Sequence, residues 1–441
     1  MKVVVVGGGV IGLCTAYFLI EQGHDVVLVE QERDIGRRTS LGNGSQLSYS
    51  YVAPLASPAV FAELPSLLLH RNAPVRVRPQ LDMHQWRWFF SFLRACSREQ
   101  SRLTTKRLLT LSFYSRQLVQ EIARKESLNF AYRQTGKLVI YSSQESWQSA
   151  LRQLEYQKSL GCEQQALDAE ECCKQDPSLR DIKEQLAGGI FTPSEETADC
   201  YLLCLELKRV LAANPRFTLL ASTQVKRLRS LGNRIIGLET AQGVIDGDSY
   251  VLAAGIESRA LALPVGIDLP IYPLRGYSVT LPLASPDDGP RLSITDYRNK
   301  IVYAPLDGAL RVAGFVEIGG DDRGIAEDRI ETLLDAVRKT FPRITDFSRV
   351  QPWCGLRPAT PRGTPLVGPT GYSNFFLNVG HGGLGFTLAM GSGRVVADFV
   401  SGREPQISLD GMLLPGAAKA RADDSVAENK PQSILQTGLQ S

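Results

Sequence analysis

Three glycines, Gly7, Gly9 and Gly12, stand in a G-x-G-x-x-G spacing, and Glu30 follows 18 residues after the last of them. Glycines so spaced can hold a pyrophosphate. The first allows a tight strand-to-helix turn, the second lets the backbone approach the phosphates, and the third, with Ala16 one turn on, lets helix and strand pack closely. The free N–H groups of the first helical turn, at Val10 and Ile11, and the positive dipole end attract the anion. Glu30, with Gln31 beside it, is placed to accept hydrogen bonds from a ribose; a carboxylate there repels a 2′-phosphate, so an NADP-type ligand is not expected. The elements that must position these residues surround them. Residues 3–6 form a β-branched run, an apolar-periodic helix reaches Gln22, Gly23 ends it, and residues 26–29 make a second strand. Together they read as a complete βαβ nucleotide-binding unit.

A second glycine run, Gly380-His381-Gly382-Gly383-Leu384-Gly385, matches the same spacing between a strand-like and a helix-like stretch within 374–400. No strand carrying an acid follows that helix, so a second dinucleotide site is not expected. Its glycines and helix N-terminus suit a different negative group. Between the two runs, residues 31–58 are largely a Gly/Ser/Asn loop whose backbone donors suit a phosphate or the edge of a flat heterocycle.

Composition excludes several classes. The 441 residues carry 49 basic and 46 acidic side chains, a net charge of +3 too balanced for nucleic-acid binding. The eight cysteines lack C-x-x-C pairs or histidine partners, and four histidines in all argue against a metal enzyme. They read as reduced thiols of a cytoplasmic protein. No stretch approaches 18 uninterrupted apolar residues, so no transmembrane helix is expected, and the glycines within the first 20 residues argue against a signal peptide. The stretch 83–93, MHQWRWFFSFL, is expected as a core-packed helix, with contact to a membrane surface as the alternative.

From Phe217 the pattern turns to short strands: FTLLAS, a hairpin around Leu231-Gly232-Asn233, then SYVLAAG. Residues 272–282, 293–304 and 310–318 alternate as strands of an antiparallel sheet, and 326–341 reads as its covering helix. The fold class expected is α/β and α+β: a Rossmann-like domain of residues 1–49, 143–265 and 350–410, with an interleaved antiparallel-sheet substrate domain of 50–142 and 266–349. After Asp410 the chain has no aromatics and is expected to be a disordered tail.

A dinucleotide unit whose fold is closed by distant chain segments suits FAD, which stays bound, better than NAD, which must leave each cycle. The segments TSLGNGSQLS (39–48), PSEETADC (193–200), YPLRGYSVT (272–280), GLRPATPRGTPLVG (355–368) and FLNVGHGGLGFTLAMGSG (376–393) resemble, in order and up to about residue 405, the small subunit of bacterial D-amino-acid dehydrogenase. That family lies within the glycine oxidase and D-amino-acid oxidase superfamily. The resemblance implies oxidation of an α-amino acid to an imino acid, hydrolysed to a 2-oxo acid and ammonia, by hydride transfer from Cα to flavin N5. It also implies a free rather than covalent flavin, although Cys354 adjoins the position where some sarcosine oxidases attach theirs. Electrons are expected to pass to a quinone or respiratory carrier, with the protein cytoplasmic or on the inner face of the inner membrane.

For FAD, contacts are expected from the residues of the first unit and from Thr39, Ser40, Asn43, Gly44, Ser45 and Gln46 in the loop. Val225, Ala254, Gly255 and Thr387 are expected to add to these. The loop His381, Gly382, Gly383, Leu384 and Gly385 is expected to stabilise negative charge on flavin N1–C2=O. Arg357 matches the motif arginine of glycine and D-amino-acid oxidases and is expected to grip the substrate carboxylate with its planar fork, beside the flavin. Tyr277 and Tyr303 are candidates for phenol hydrogen bonds, with core packing as the competing role. Where glycine oxidase carries another arginine in the 381–385 loop, Gly383 stands here, which leaves the second carboxylate contact open. An O2-dependent amine oxidase, a proline or hydroxyproline dehydrogenase, and a non-catalytic flavin-binding subunit remain alternatives.

Overall fold

The structure, a computed structural model, describes residues 1–52, 54–58, 60–61, 74–319 and 324–416. Lys2–Val6 presents four buried valines in succession, as a strand covered on both faces must. Val3 and Val5 face the helices Val10–Glu21, Arg98–Lys125, Cys200–Ala212 and Gly385–Val400, while Val4 and Val6 face the small meander Arg227–Leu231, Arg234–Thr240 and Gly243–Ile245. The strand sits inside a six-stranded sheet of order Leu366–Pro369, Phe375–Val379, Ser249–Leu252, Lys2–Val6, Asp25–Val29, Phe217–Leu220. All neighbours run parallel except the first pair. The first and last long helices cross closely at Gly393, where a Cβ would lie 2.9 Å from the Cys14 backbone.

The second sheet has the order Gln351–Ala359, Tyr272–Pro282, Ala309–Ile318, Ile301–Leu306, Ser293–Asp296, Lys137–Tyr141, Gly188–Thr192, Gln165–Leu167, with Val75–Val77 added beside Ala309–Ile318. Helix Glu327–Thr340 covers one face with Leu333 and Val337. The other face turns toward the first sheet.

Four expectations are corrected here. Gln165–Leu167, Gly188–Thr192 and Gln351–Ala359 join the second sheet, so the domain boundaries at 143 and 350 do not follow the strand pairing. A strand's own pattern records burial but not its partner. The sheet is mixed, since Ser293–Asp296 pairs parallel with Lys137–Tyr141. The run 293–304 is two strands, broken by a turn in which Lys300 takes φ +54°. Finally, the chain stays packed past Asp410: Met412 is buried in the core of the first domain and its carbonyl accepts the Val367 N–H at 2.8 Å. The rest of the expected tail lies outside the described residues.

Candidate active site

A cavity of about 1010 Å³ runs between the two sheets, at the upper end of ligand pockets. One end is the glycine turn. Gly7 has φ +110°, and a Cβ there would meet the Ala253 carbonyl at 2.5 Å. Gly12 lies behind the turn, where a Cβ would fall 1.8 Å from the Gly7 oxygen, so it serves helix–strand packing and does not line the cavity. Gly9 faces open space: a Cβ there would meet only Ser40 Oγ, at 3.5 Å. That unfilled cradle at a helix N-terminus is what a pyrophosphate requires. Val10 and Ile11 also line the cavity, and the Val10 N–H donates to Ser40 Oγ at 3.1 Å. Glu30 is fixed by the Gly8 N–H at 2.7 Å and the Glu32 N–H at 2.8 Å, and lines the cavity with Gln31, Val225, Ala254 and Gly255. The carboxylates on the cavity wall among the described residues, Glu30, Glu32 and Glu257, gather at this end, the last two paired with Arg38.

The 39–48 loop is clamped between the sheets. Thr39 Oγ1 donates to the Leu356 carbonyl, Ser278 Oγ to Gly42 O and Arg311 Nη1 to Asn43 O, at 2.7–2.8 Å. This leaves Thr39, Ser40, Asn43, Gly44 and Gln46 on the cavity wall. Ser45 is instead wholly buried at φ +56°, off the wall. Opposite, His381, Gly382, Gly383, Leu384, Gly385 and Thr387 line the cavity at the start of helix Gly385–Val400. A Cβ on Gly382, Gly383 or Gly385 would find no atom closer than 3.7 Å, so a ligand can approach the backbone at these three glycines, while the Leu384 N–H donates to the His381 carbonyl at 3.1 Å. His381 is 3% exposed, its Nε2 3.1 Å from Ser392 Oγ, and burial holds the ring neutral with its pKa lowered to about 3.

Arg357 reaches this loop from strand Gln351–Ala359. Its Nη1 donates to the Phe315 carbonyl at 2.9 Å, which a bulge between Arg275 and Tyr277 and a φ of +65° at Phe315 aim at the guanidinium. The fork passes over Gly276, where a Cβ would lie 2.2 Å from Nη1. Burial pushes Arg357 below the usual guanidinium value, partly offset by Cys354 nearby. Among the described residues no carboxylate lies within 4 Å of it. A desolvated cation open to a cavity, with no counter-charge among the described residues, has the chemistry to take a carboxylate.

Tyr277 and Tyr303 are not brought here. Strand side chains alternate, so Val302 and Ala313 line the cavity while Tyr303 points to the opposite face against Phe341, with Tyr277 bonded to Glu317 at 3.2 Å. Burial raises both phenol pKa values. Trp353, Lys137 and Lys300 are among the wall residues that escaped the sequence reading. Trp353 packs on Gly42 and Gly355, where a Cβ would stand 2.1 and 1.9 Å from its ring; its place just ahead of the Arg357 motif was the available signal. Lys137 and Lys300 gave none, being single lysines in strand or turn sequences.

Residues 2–399 match the family described as FAD dependent oxidoreductase. The chain is 44% identical to D-amino acid dehydrogenase 2 of Ralstonia nicotianae, over 92% of this chain and 98% of that protein. It is 43% identical to D-amino acid dehydrogenase 2 of Pseudomonas aeruginosa, over 94% and 99%. Among solved structures, glycine oxidase from Geobacillus kaustophilus superposes with TM-score 0.77 at 22% identity, covering 94% of this chain and 99% of that one. L-proline dehydrogenase from P. horikoshii gives 0.73 at 16% identity, over 96% and 98%.

Proposed function

Because the chain belongs to the FAD dependent oxidoreductase family, we propose that Arg357 anchors the carboxylate of a D-amino acid with its Cα toward the flavin. The activity is FAD-dependent oxidative deamination, and the protein is an amino-acid dehydrogenase of this family. When bound, FAD would supply the acceptor for a hydride from the substrate Cα, and water would hydrolyse the resulting imino acid to a 2-oxo acid and ammonia. The chain's own part is positioning. The Gly7–Gly9 turn and Glu30 would hold the adenosine diphosphate, and the 39–46 segment and 381–387 loop would enclose the flavin. The reaction end has no carboxylate among the described residues and His381 is neutral and bonded to Ser392, so neither serves as a base for the amine, whose lone pair drives the transfer only when it carries no extra proton. The observation that carries the reading is the Arg357 guanidinium on the cavity wall, held by the Phe315 carbonyl and with no carboxylate beside it among the described residues.

Truncating that side chain leaves a substrate carboxylate unpaired in a dry site, at about 2–5 kcal/mol, or roughly 30- to 4000-fold in kcat/KM. Arg357→Ala should lose that activity while keeping its FAD spectrum, Arg357→Lys should recover part of it, and benzoate should bind the native protein only. Near-native kinetics in Arg357→Ala would overturn the assignment.

The names of the relatives favour the D-enantiomer and an acceptor other than oxygen. Helix Met83–Ala95 supports a quinone at a membrane surface. Its Trp88 and Phe92 line the cavity, while Met83 and Phe90 are 69% and 59% exposed beside the fully exposed Leu81. Arg87 and Arg94 lie on the same helix. Dye-linked turnover far above hydrogen peroxide release, and preference for D- over L-amino acids, are expected; stoichiometric peroxide at comparable rates would mark an oxidase instead.

A further inference from the structure

Lys137 is 2% exposed yet lies on the cavity wall. Its Nζ donates to Gln46 Oε1 at 3.0 Å and Ser48 Oγ at 2.9 Å, and stands 4.2 Å from the centre of the Tyr51 ring. All three partners line the same cavity. Ser48 also donates its N–H to Thr387 Oγ1 at 3.2 Å, which joins Lys137 to the first turn of helix Gly385–Val400. The nearest acid in the electrostatics of this group is Glu195, which is wholly buried. Its Oε1 accepts the Ser50 N–H at 2.6 Å, while Oε2 has no hydrogen-bond partner among the described residues. Burial pushes Lys137 down to about 8 and Glu195 up to about 7, and each charge pulls the other back. Two ionisable groups taken out of water in this way are costly to keep.

We propose that the Lys137 ammonium is a positioning residue for electrons: a fixed positive charge behind Gln46 and Ser48 that favours negative charge on the cofactor, with Glu195 opposing it. The inference rests on the FAD reading of the cavity. The ammonium and the helix N-terminus have the same sign and meet through Ser48 and Thr387, so their fields add where the cofactor gains electrons. The carboxyl of Glu195, on the far side of the 46–51 segment, sets how much of that field survives.

Sulfite, which adds to oxidised flavin and bleaches it in proportion to the positive field around it, is the probe, with the reduction potential by dye equilibration as a second readout. Holoenzyme carrying Lys137→Met should bind sulfite about tenfold more weakly and have a lower potential, the order of effect of losing one charge in an effective dielectric of about 20. Glu195→Gln should shift both readouts the other way, and Lys137→Arg should stay near native. A merely structural cross-link between Lys137 and the 46–48 segment would weaken the site in both neutral variants. Unchanged sulfite affinity in FAD-loaded Lys137→Met, or shifts of one sign in Lys137→Met and Glu195→Gln, overturns the proposal. If Lys137→Met does not fold, Glu195→Gln decides, since unchanged affinity there refutes it. Native protein that takes up no FAD would instead overturn the cofactor reading itself.

Discussion

Gly276→Ala tests the carboxylate clamp without touching the arginine. A Cβ at this position would stand 2.2–2.4 Å from three guanidinium atoms of Arg357, more than 1 Å inside ordinary contact. The obstructed atoms are the far end of a flexible side chain, so the fold can yield by swinging the fork aside, and Gly276 lies at a position paired regularly with Gly355, where alanine fits the backbone. The cost therefore falls on the site. A fork displaced by about 1 Å keeps one charge-assisted bond to a carboxylate and loses the other, worth about 1.5–3 kcal/mol. That converts to roughly 13- to 160-fold in kcat/KM. The assay is dye-linked turnover of a D-amino acid by protein whose FAD content and melting temperature match the native enzyme. Because the loss acts through Arg357, adding Gly276→Ala to Arg357→Ala should cost almost nothing more. Kinetics within twofold of native in Gly276→Ala, or full additivity in the double variant, would refute the clamp.

The glycine turn separates folding from binding. Gly9→Val should fold but purify colourless, since its side chain enters the cavity, whereas Gly12→Ala drives a Cβ to 1.8 Å from the Gly7 carbonyl and should lower the melting temperature even without cofactor. His381 predicts an acid-sensitive fold. Its folded pKa is lowered to about 3 by burial from an ordinary 6.5, so below pH 6.5 protons bind the unfolded chain preferentially and stability falls until about pH 3. At pH 5 this amounts to about 2 kcal/mol; urea midpoints should fall less between pH 7 and 5 in His381→Asn, and equal slopes would refute the assignment. Met412→Ala should destabilise the first domain by about 2–5 kcal/mol in urea unfolding, as a fully buried methionine does, and no change would show that the 411–416 segment is dispensable.

Much of the nucleotide unit was legible because its determinants are local. Gly7 needs φ +110° and Gly12 packs against the Gly7 carbonyl, constraints set within the turn itself, and a β-branched run such as Lys2–Val6 announces a buried strand whatever covers it. Arg357 was legible only through a motif, since an arginine's role depends on what it faces. Tyr277 and Tyr303 were misplaced for the same reason: an aromatic in a strand announces burial but not which face, and the bulge opposite Phe315 and the covering helix decided that. Lys137 could not have been found, because its burial comes from strand Lys137–Tyr141 lying between Ser293–Asp296 and Gly188–Thr192, more than 40 residues away on either side.

By itself the sequence determined the chemistry of short-range geometry: a turn that only glycine can make, a helix start that attracts phosphate, an acid at the end of the second strand. Tertiary structure decided everything that needs two distant segments to meet. It joined residues 165–167, 188–192 and 351–359 to one sheet, placed Arg357 over Gly276 with no carboxylate beside it among the described residues, and set Lys137 against Glu195. The reason is that side-chain pattern encodes how much of a strand is buried, whereas pairing partner, facing side and charge environment are properties of the assembled sheet.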